Sequence, residues 1–244
     1  MEVSERSVDV WCTRLSCKQA YSRNLANLLS PAERLRAGEF RAEEHRQKFE
    51  ISRGVLRLLL GRYLTTEPRS VEFQYGVHGK PSVKTSVGLH FNVSHSGEIA
   101  IYAIGQPEVG IDIEQIRPLA DMMNIARRFF SAAEADELAG LSGDSRIRAF
   151  YSCWARKEAY IKALGVGLSA SLQSFRVSLI PDQPARLLEI GGSSGLETEW
   201  LISDLAVDDN YAAALAVRAR KIRLWTSPIL NPEEIESALH SRQF

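Results

Sequence analysis

Cys153-Trp154-Ala155-Arg156-Lys157-Glu158-Ala159-Tyr160-Ile161-Lys162-Ala163-Leu164-Gly165 is the stretch from which the rest of the chain is read. The helical pattern runs from about Arg146 and stops at Gly165, the residue type that tolerates the left-handed turn at a helix end. At helical pitch Trp154, Glu158 and Lys162 fall four apart and share one stripe. An exposed Glu-to-Lys pair at this spacing contributes only about 0.2–0.5 kcal/mol. The pair gains a different meaning from two stretches upstream.

The first is Val109-Gly110-Ile111-Asp112-Ile113-Glu114. Alternation predicts a strand with Val109, Ile111 and Ile113 facing a core. Asp112 and Glu114 then project together from the other face, roughly 7 Å apart. Two carboxylates on one face repel unless a cation lies between them. A hard divalent ion suits such a pair, and Mg²⁺ takes one or two carboxylates plus phosphate and water. A third carboxylate from the helix, Glu158, would complete the set, with Lys162 adding a fixed positive charge.

The second is Phe91-Asn92-Val93-Ser94-His95-Ser96, followed by a Ser96-Gly97 turn and a further strand over 98–104. Phe91, Val93 and His95 share one face; Asn92, Ser94 and Ser96 share the other. This parity weighs against a serine-hydrolase triad from Ser94, His95 and Asp112, because adjacent strand residues point apart. No G-x-S-x-G elbow exists either.

Composition narrows the class. With 244 residues, 45% hydrophobic and 25% charged, the chain is that of an ordinary globular protein of one large or two small domains. Its formal net charge of zero gives no reason to expect nucleic acid or an anionic membrane. Cys12, Cys17 and Cys153 are odd in number and lack metal-ligand spacing, so they read as free thiols of a reducing compartment. The start of the chain lacks the apolar core of a signal peptide, and no apolar run is long enough for a membrane span. A soluble, cytoplasmic protein is expected.

The remaining elements follow in order. Val8–Trp11 reads as a strand, and Ser30-Pro31-Ala32-Glu33 as a capped helix start. Residues 42–64 carry apolar side chains at helical spacing. Val71–Tyr75 reads as a strand, with a turn at His78-Gly79-Lys80-Pro81. Residues 120–130 and a restart at Ser131-Ala132-Ala133-Glu134 predict two helices. Glu134 serves as a cap there, with a partner-surface role left open. Strands follow at Phe175–Ile180, Thr198–Leu205 and Tyr211–Arg218, with a loop at Gly191–Gly195 and a short helix after Asn231-Pro232. Trp154 reads as a core residue. The helix-then-strands order occurs twice, so an α+β fold of two similar halves is expected: residues 1–106, residues 107–220 and a tail over 221–244. A site at the seam of the halves is the natural consequence.

Phe-Asn-Val-Ser-His-Ser (91–96), Gly-Ile-Asp-Ile-Glu (110–114), Arg-Phe-Phe-Ser-x-x-Glu (128–134) and Trp-Ala-x-Lys-Glu-Ala-x-x-Lys (154–162) together closely resemble the 4'-phosphopantetheinyl transferases. The likeness is to the monomeric, double-length type that activates peptide and polyketide synthases, and it spans about residues 30–220. His-Gly-Lys-Pro (78–81) and Ser-Arg-Gly-x-Leu-Arg (52–57) fit as well.

The resemblance implies two α+β halves related by a pseudo-twofold axis, with coenzyme A bound between them. It implies transfer of the phosphopantetheine arm of coenzyme A to a serine of an apo acyl or peptidyl carrier protein, with release of adenosine 3',5'-bisphosphate. By residue match, Asp112, Glu114 and Glu158 hold Mg²⁺, and Glu158 is also the candidate base. Lys162 contacts the phosphates, and Lys80, Ser94 and His95 grip coenzyme A. Arg53 is a further nucleotide contact, while Arg36, Arg46 and Lys48 are additional basic candidates. Glu33 departs from the pattern, standing where some members carry a basic residue. Ile113 leaves only three acids for the metal. Two other classes compete: a module that binds coenzyme A or a carrier without catalysis, and another Mg²⁺-dependent pyrophosphate enzyme. Intact Asp112, Glu114, Glu158 and Lys162 weigh against the first, and the lack of a G-x-x-x-x-G-K-[ST] loop weighs against a nucleotide hydrolase of that kind.

Overall fold

The computed structural model describes residues 6–85, 88–167, 171–180, 183–193 and 199–242. Their order is one arrangement used twice. In the first half β1 (Ser7–Arg14) leads to α1 (Gln19–Leu28), α2 (Pro31–Gly38) and α3 (Glu43–Tyr63). Strands β2 (Phe73–Tyr75), β3 (Pro81–Val83), β4 (His90–Ser96) and β5 (Ile99–Gly105) follow. In the second half β6 (Val109–Gln115) leads to α4 (Met122–Phe129), α5 (Ala132–Ala139) and α6 (Gly143–Leu164). Strands β7 (Phe175–Val177), β8 (Leu187–Ile190), β9 (Leu201–Asp204) and β10 (Tyr211–Val217) complete it. The main sheets are ordered β1-β5-β4 and β6-β10-β9, with matching antiparallel pairings. This duplicated order is the two-half α+β fold that the sequence led us to expect.

The duplication extends to side chains. Ser30 and Glu33 form a reciprocal capping box at the start of α2, as Ser131 and Glu134 do at α5. Each box places a buried glutamate where the long helix of its half can answer it. Glu33 pairs with Arg57 of α3 at 2.7 Å, and Glu134 with Lys157 of α6 at 2.8 Å. Glu33 is therefore a structural acid, which accounts for its departure from the basic pattern. Glu134 has no exposed surface, so the partner-surface role left open for it is ruled out.

Alternation in the strands builds the layers. One face of the first sheet (Val8, Val10, Ile99, Ile101) packs against Val109, Ile111, Ile113, Leu215 and Val217 of the second, forming a core between the halves. The outer faces are covered by helices. Leu56, Leu59 and Leu60 of α3 meet Tyr102 and Ile104, while Ala155, Ala159 and Ala163 of α6 meet Ala212, Ala214 and Ala216. Alanine on both surfaces brings α6 unusually close. A Cβ added at Gly110 would lie 2.1 Å from the Ala159 carbonyl oxygen and 2.2 Å from the Ala163 nitrogen.

The C-terminal segment is part of the first half. Strand β11 (Arg223–Leu230) pairs in parallel with β1, and α7 (Ile235–Ser241) buries Ile235 and Leu239 in the first-half core. Several expected strands are shorter than alternation suggested, with Phe175–Ile180 reduced to Phe175–Val177. The expected loop at Gly191–Gly195 and the start of the expected Thr198–Leu205 strand enter residues 194–198, outside the described residues. Among the described residues no helix is long and apolar enough to cross a membrane.

Candidate active site

The seam between the halves is formed by two edge strands, β4 and β6. They run side by side and in parallel, joined by side chains rather than a backbone ladder. Asn92 Oδ1 accepts the Ile111 backbone N–H at 2.9 Å. Ser94 Oγ donates to Asp112 Oδ1 at 2.8 Å, and Ser96 Oγ donates to Glu114 Oε2 at 3.2 Å. The Gln115 N–H closes the series by donating to Ser96 Oγ at 3.0 Å. The strand period of two places all three β4 side chains on the face turned toward β6.

Helix α6 lies over this seam because Gly110 admits it. Lys162 Nζ reaches Asp112 Oδ1 at 2.6 Å and Ser94 Oγ at 3.0 Å. Gly165, at φ +70°, ends the helix as its residue type requires. Beside Lys162 is a cavity of about 270 Å³ lined by His78, Lys80, Pro81, Asn92, Glu158 and Lys162 among others. Residues from both halves form its walls.

The field in this seam is not balanced. Burial raises the Asp112 carboxyl against the opposing Lys162 charge and Ser94 hydrogen bond. Burial and then the Asp112 charge raise both Glu114 and Glu158. Asp112 Oδ2 has no hydrogen-bond partner, and the side chain is only 4% exposed. Acids that repel one another, one with an unsatisfied buried oxygen, form a donor set suited to a hard divalent cation. Among the described residues, no three histidines, cysteines or acids converge as a ready-made metal cage. The fit is therefore to an ion that takes part of its shell from substrate oxygens and water, as Mg²⁺ does.

Two family models match this chain. One, described as the 4'-phosphopantetheinyl transferase superfamily, covers residues 108–216. The other, described as 4'-phosphopantetheinyl transferase, N-terminal, covers residues 16–106. The 4'-phosphopantetheinyl transferase HetI of Nostoc sp. is 37% identical over 214 residues, 86% of this chain and 87% of its own. The chain belongs to the 4'-phosphopantetheinyl transferase superfamily. It is also similar to the 4'-phosphopantetheinyl transferase Sfp of Bacillus subtilis, at 32% identity over 164 residues, 67% of this chain and 72% of that one.

Within this transferase the expected site residues do not all stand alike. Asp112, Lys162 and Ser94 are in direct contact, Glu114 joins them through the β4 serine series, and Glu158 lines the adjoining cavity. His95 lies on the other face of β4, at the exposed end of the row that begins with buried Phe91, and desolvation first, then the Lys162 charge, lowers its pKa. Lys80 lines the cavity, but its ammonium donates to the carbonyls of Val109 and Ala163, both at 3.1 Å. It ties the turn after β2 to β6 and to the end of α6, and burial lowers its pKa.

Arg53 is elsewhere. It stacks on Phe73 at 5.0 Å and faces Glu33 at 3.5 Å, in a separate cavity of about 780 Å³ lined also by Arg36, Arg57 and Arg69. Among the described residues none lines both cavities, although the β2–β3 hairpin contributes to each. Trp154 packs on Phe129 and Phe150, at ring centroids of 5.7 and 5.9 Å, as the core reading predicts. Sequence reasoning passed over Ser96, whose role depends on the strand facing it, and Lys157, which looks like an ordinary surface lysine. The alternation of Asn92, Ser94 and Ser96 was the available signal for the former.

Proposed function

We propose that this chain transfers the 4'-phosphopantetheine arm of coenzyme A to a serine hydroxyl of an apo acyl or peptidyl carrier protein, with Mg²⁺, leaving adenosine 3',5'-bisphosphate. The observation that carries the reading is the Lys162–Asp112–Ser94 contact beside Glu158, in a cleft walled by both halves. The reaction joins a carrier oxygen to the phosphorus that bears the pantetheine arm and breaks that phosphorus's bond to the leaving bisphosphate. Such chemistry needs positioning, charge stabilisation and a base near the attacking oxygen.

Glu158 is the base. Its place on the wall of the cleft beside Lys162 lets it take the proton of the carrier serine hydroxyl. Lys162, held beside Asp112 and Ser94, presents its positive charge to the phosphates and steadies the leaving group. Asp112, Glu114 and Glu158 would hold Mg²⁺, whose charge would offset that developing on the pyrophosphate oxygens. His95 and the ammonium of Lys80 border the phosphates. The nucleotide end of coenzyme A extends past the β2–β3 hairpin toward Arg36, Arg53 and Arg69, whose guanidinium groups suit phosphate. One chain supplies every named group, which favours a monomer. The thiols of Cys12, Cys17 and Cys153 are free, as suits a reducing cytoplasm.

The test is intact-mass measurement of several apo carrier proteins incubated with this protein, coenzyme A and Mg²⁺, beside a chelator control. A gain of one phosphopantetheine that depends on metal supports the reading. No gain on any carrier, with coenzyme A still bound, leaves a binding module in its place.

A further inference from the structure

We propose that the β4 serines set the metal preference of the site, each hydrogen-bonding one oxygen of a strand carboxylate so that the other is the better ligand. The inference rests on the metal site put forward above. Ser96 accepts the Gln115 N–H, so its single proton points to Glu114 Oε2. Ser94 accepts from Lys162 Nζ, so its proton points to Asp112 Oδ1. Each hydroxyl thus accepts from one neighbouring donor and keeps its proton for the carboxylate. Asp112 Oδ1 is engaged twice, by Ser94 and by Lys162, while Oδ2 is buried and unpartnered. For Glu114, the hydrogen bond present among the described residues falls on Oε2.

A carboxylate held in this way grips a cation through one oxygen. Ca²⁺ accepts six to eight oxygens in flexible geometry and often takes both oxygens of a carboxylate, whereas Mg²⁺ demands a compact octahedron with single-oxygen ligands and retained water. The serine series therefore selects against the larger ion at the protein's end of the site. Ser96 is a positioning residue in this account, since it acts on the metal through Glu114.

The test uses Ser96→Thr and Ser96→Val, which are close in volume and differ in the hydroxyl, with Ser96→Ala as a smaller apolar variant. Thermal unfolding establishes that each is folded. Mg²⁺ and Ca²⁺ are titrated separately by calorimetry into each protein saturated with coenzyme A. The wild type and Ser96→Thr are expected to prefer Mg²⁺. The folded apolar variant is expected to lose at least about tenfold of that preference, mainly through tighter Ca²⁺ binding. An apolar variant with the wild-type ratio overturns the proposal, as does Ser96→Thr losing as much preference as the apolar variant. Wild type that binds neither ion overturns the metal site itself, and this proposal with it.

Discussion

Gly110 of β6 and Ala159 of α6 meet so closely that a Cβ on the glycine would stand 2.1 Å from the alanine carbonyl oxygen. The obstruction is helix backbone, which cannot rotate aside as a side chain would. Gly110→Ala must therefore lift α6 from the sheet, and Glu158 and Lys162 move with it. Overpacking of this kind costs about 1–3 kcal/mol, and a backbone clash belongs at or above the upper end. Chemical denaturation is expected to show that loss, and transfer activity to fall further than stability alone explains. A variant with wild-type stability and activity would mean that α6 does not depend on this approach.

Lys157 and Glu134 form a fully buried ion pair at 2.8 Å. The ammonium also donates to the carbonyls of Leu172 at 2.7 Å and Phe175 at 2.6 Å. Removing one member of such a pair strands the other charge and costs about 3–5 kcal/mol. Lys157→Met is expected to lose that amount in urea denaturation. Glu134→Gln combined with Lys157→Met is expected to recover much of it, because glutamine can keep the capping box while no buried charge remains. Equal stability of the single and double variants would argue against a stranded charge.

Glu158 shows the opposite sign. Its folded-state pKa is raised, by burial and then by Asp112, so ionisation costs stability in the folded protein. The protonated form carries its full stabilisation below the ordinary value of 4.5, and this is lost as pH rises through the raised folded value. Glu158→Gln, neutral at every pH, is thus expected to melt above the metal-free wild type at pH 7, and the advantage is expected to vanish below about pH 4.5. The same variant is expected to lose about 10²–10⁴ in kcat as a missing base. Lower stability at pH 7 would remove the repulsion argument, and retained activity would remove Glu158 from its role.

The duplicated fold is legible because helix and strand periods repeat, and the alternation at 109–114 alone puts Asp112 and Glu114 on one face. The proximity of Lys162 to Asp112 was not a matter of local period. It follows from Gly110 and the alanines of α6, small residues that carry little local signal and act only when two elements meet. Lys157 carries no local signal for a related reason. A lysine beside a glutamate in a helix reads as solvated, and only the fold shows that its direction leads inward to Glu134. Arg53 matches a pattern by position, and its place on α3 beside Phe73 and Glu33 puts it in a cavity separate from the seam. Strand β11 was missed because it alternates weakly and its partner, β1, lies more than two hundred residues earlier in sequence.

That distant pairing gives the last prediction. In the matched registers Trp11 holds in β1 the place that Asp112 holds in β6, since Trp11 faces Tyr102 and Asp112 faces Ala214. The first-half counterpart of the site is filled rather than open. Trp11 Nε1 donates to Tyr63, Tyr63 donates to Asp9, and Arg242 of the C-terminal segment pairs with Asp9 at 2.7 Å. Arg242 also covers Trp225, which packs edge-on against Trp11. Truncation after residue 220 would uncover the β1 edge and Trp11 together, leaving an unpaired strand able to pair with another chain. We expect the truncated protein to melt well below the full chain and to elute from size exclusion as higher oligomers. A soluble, monomeric truncation with unchanged melting would show that the first half closes without β11 and α7.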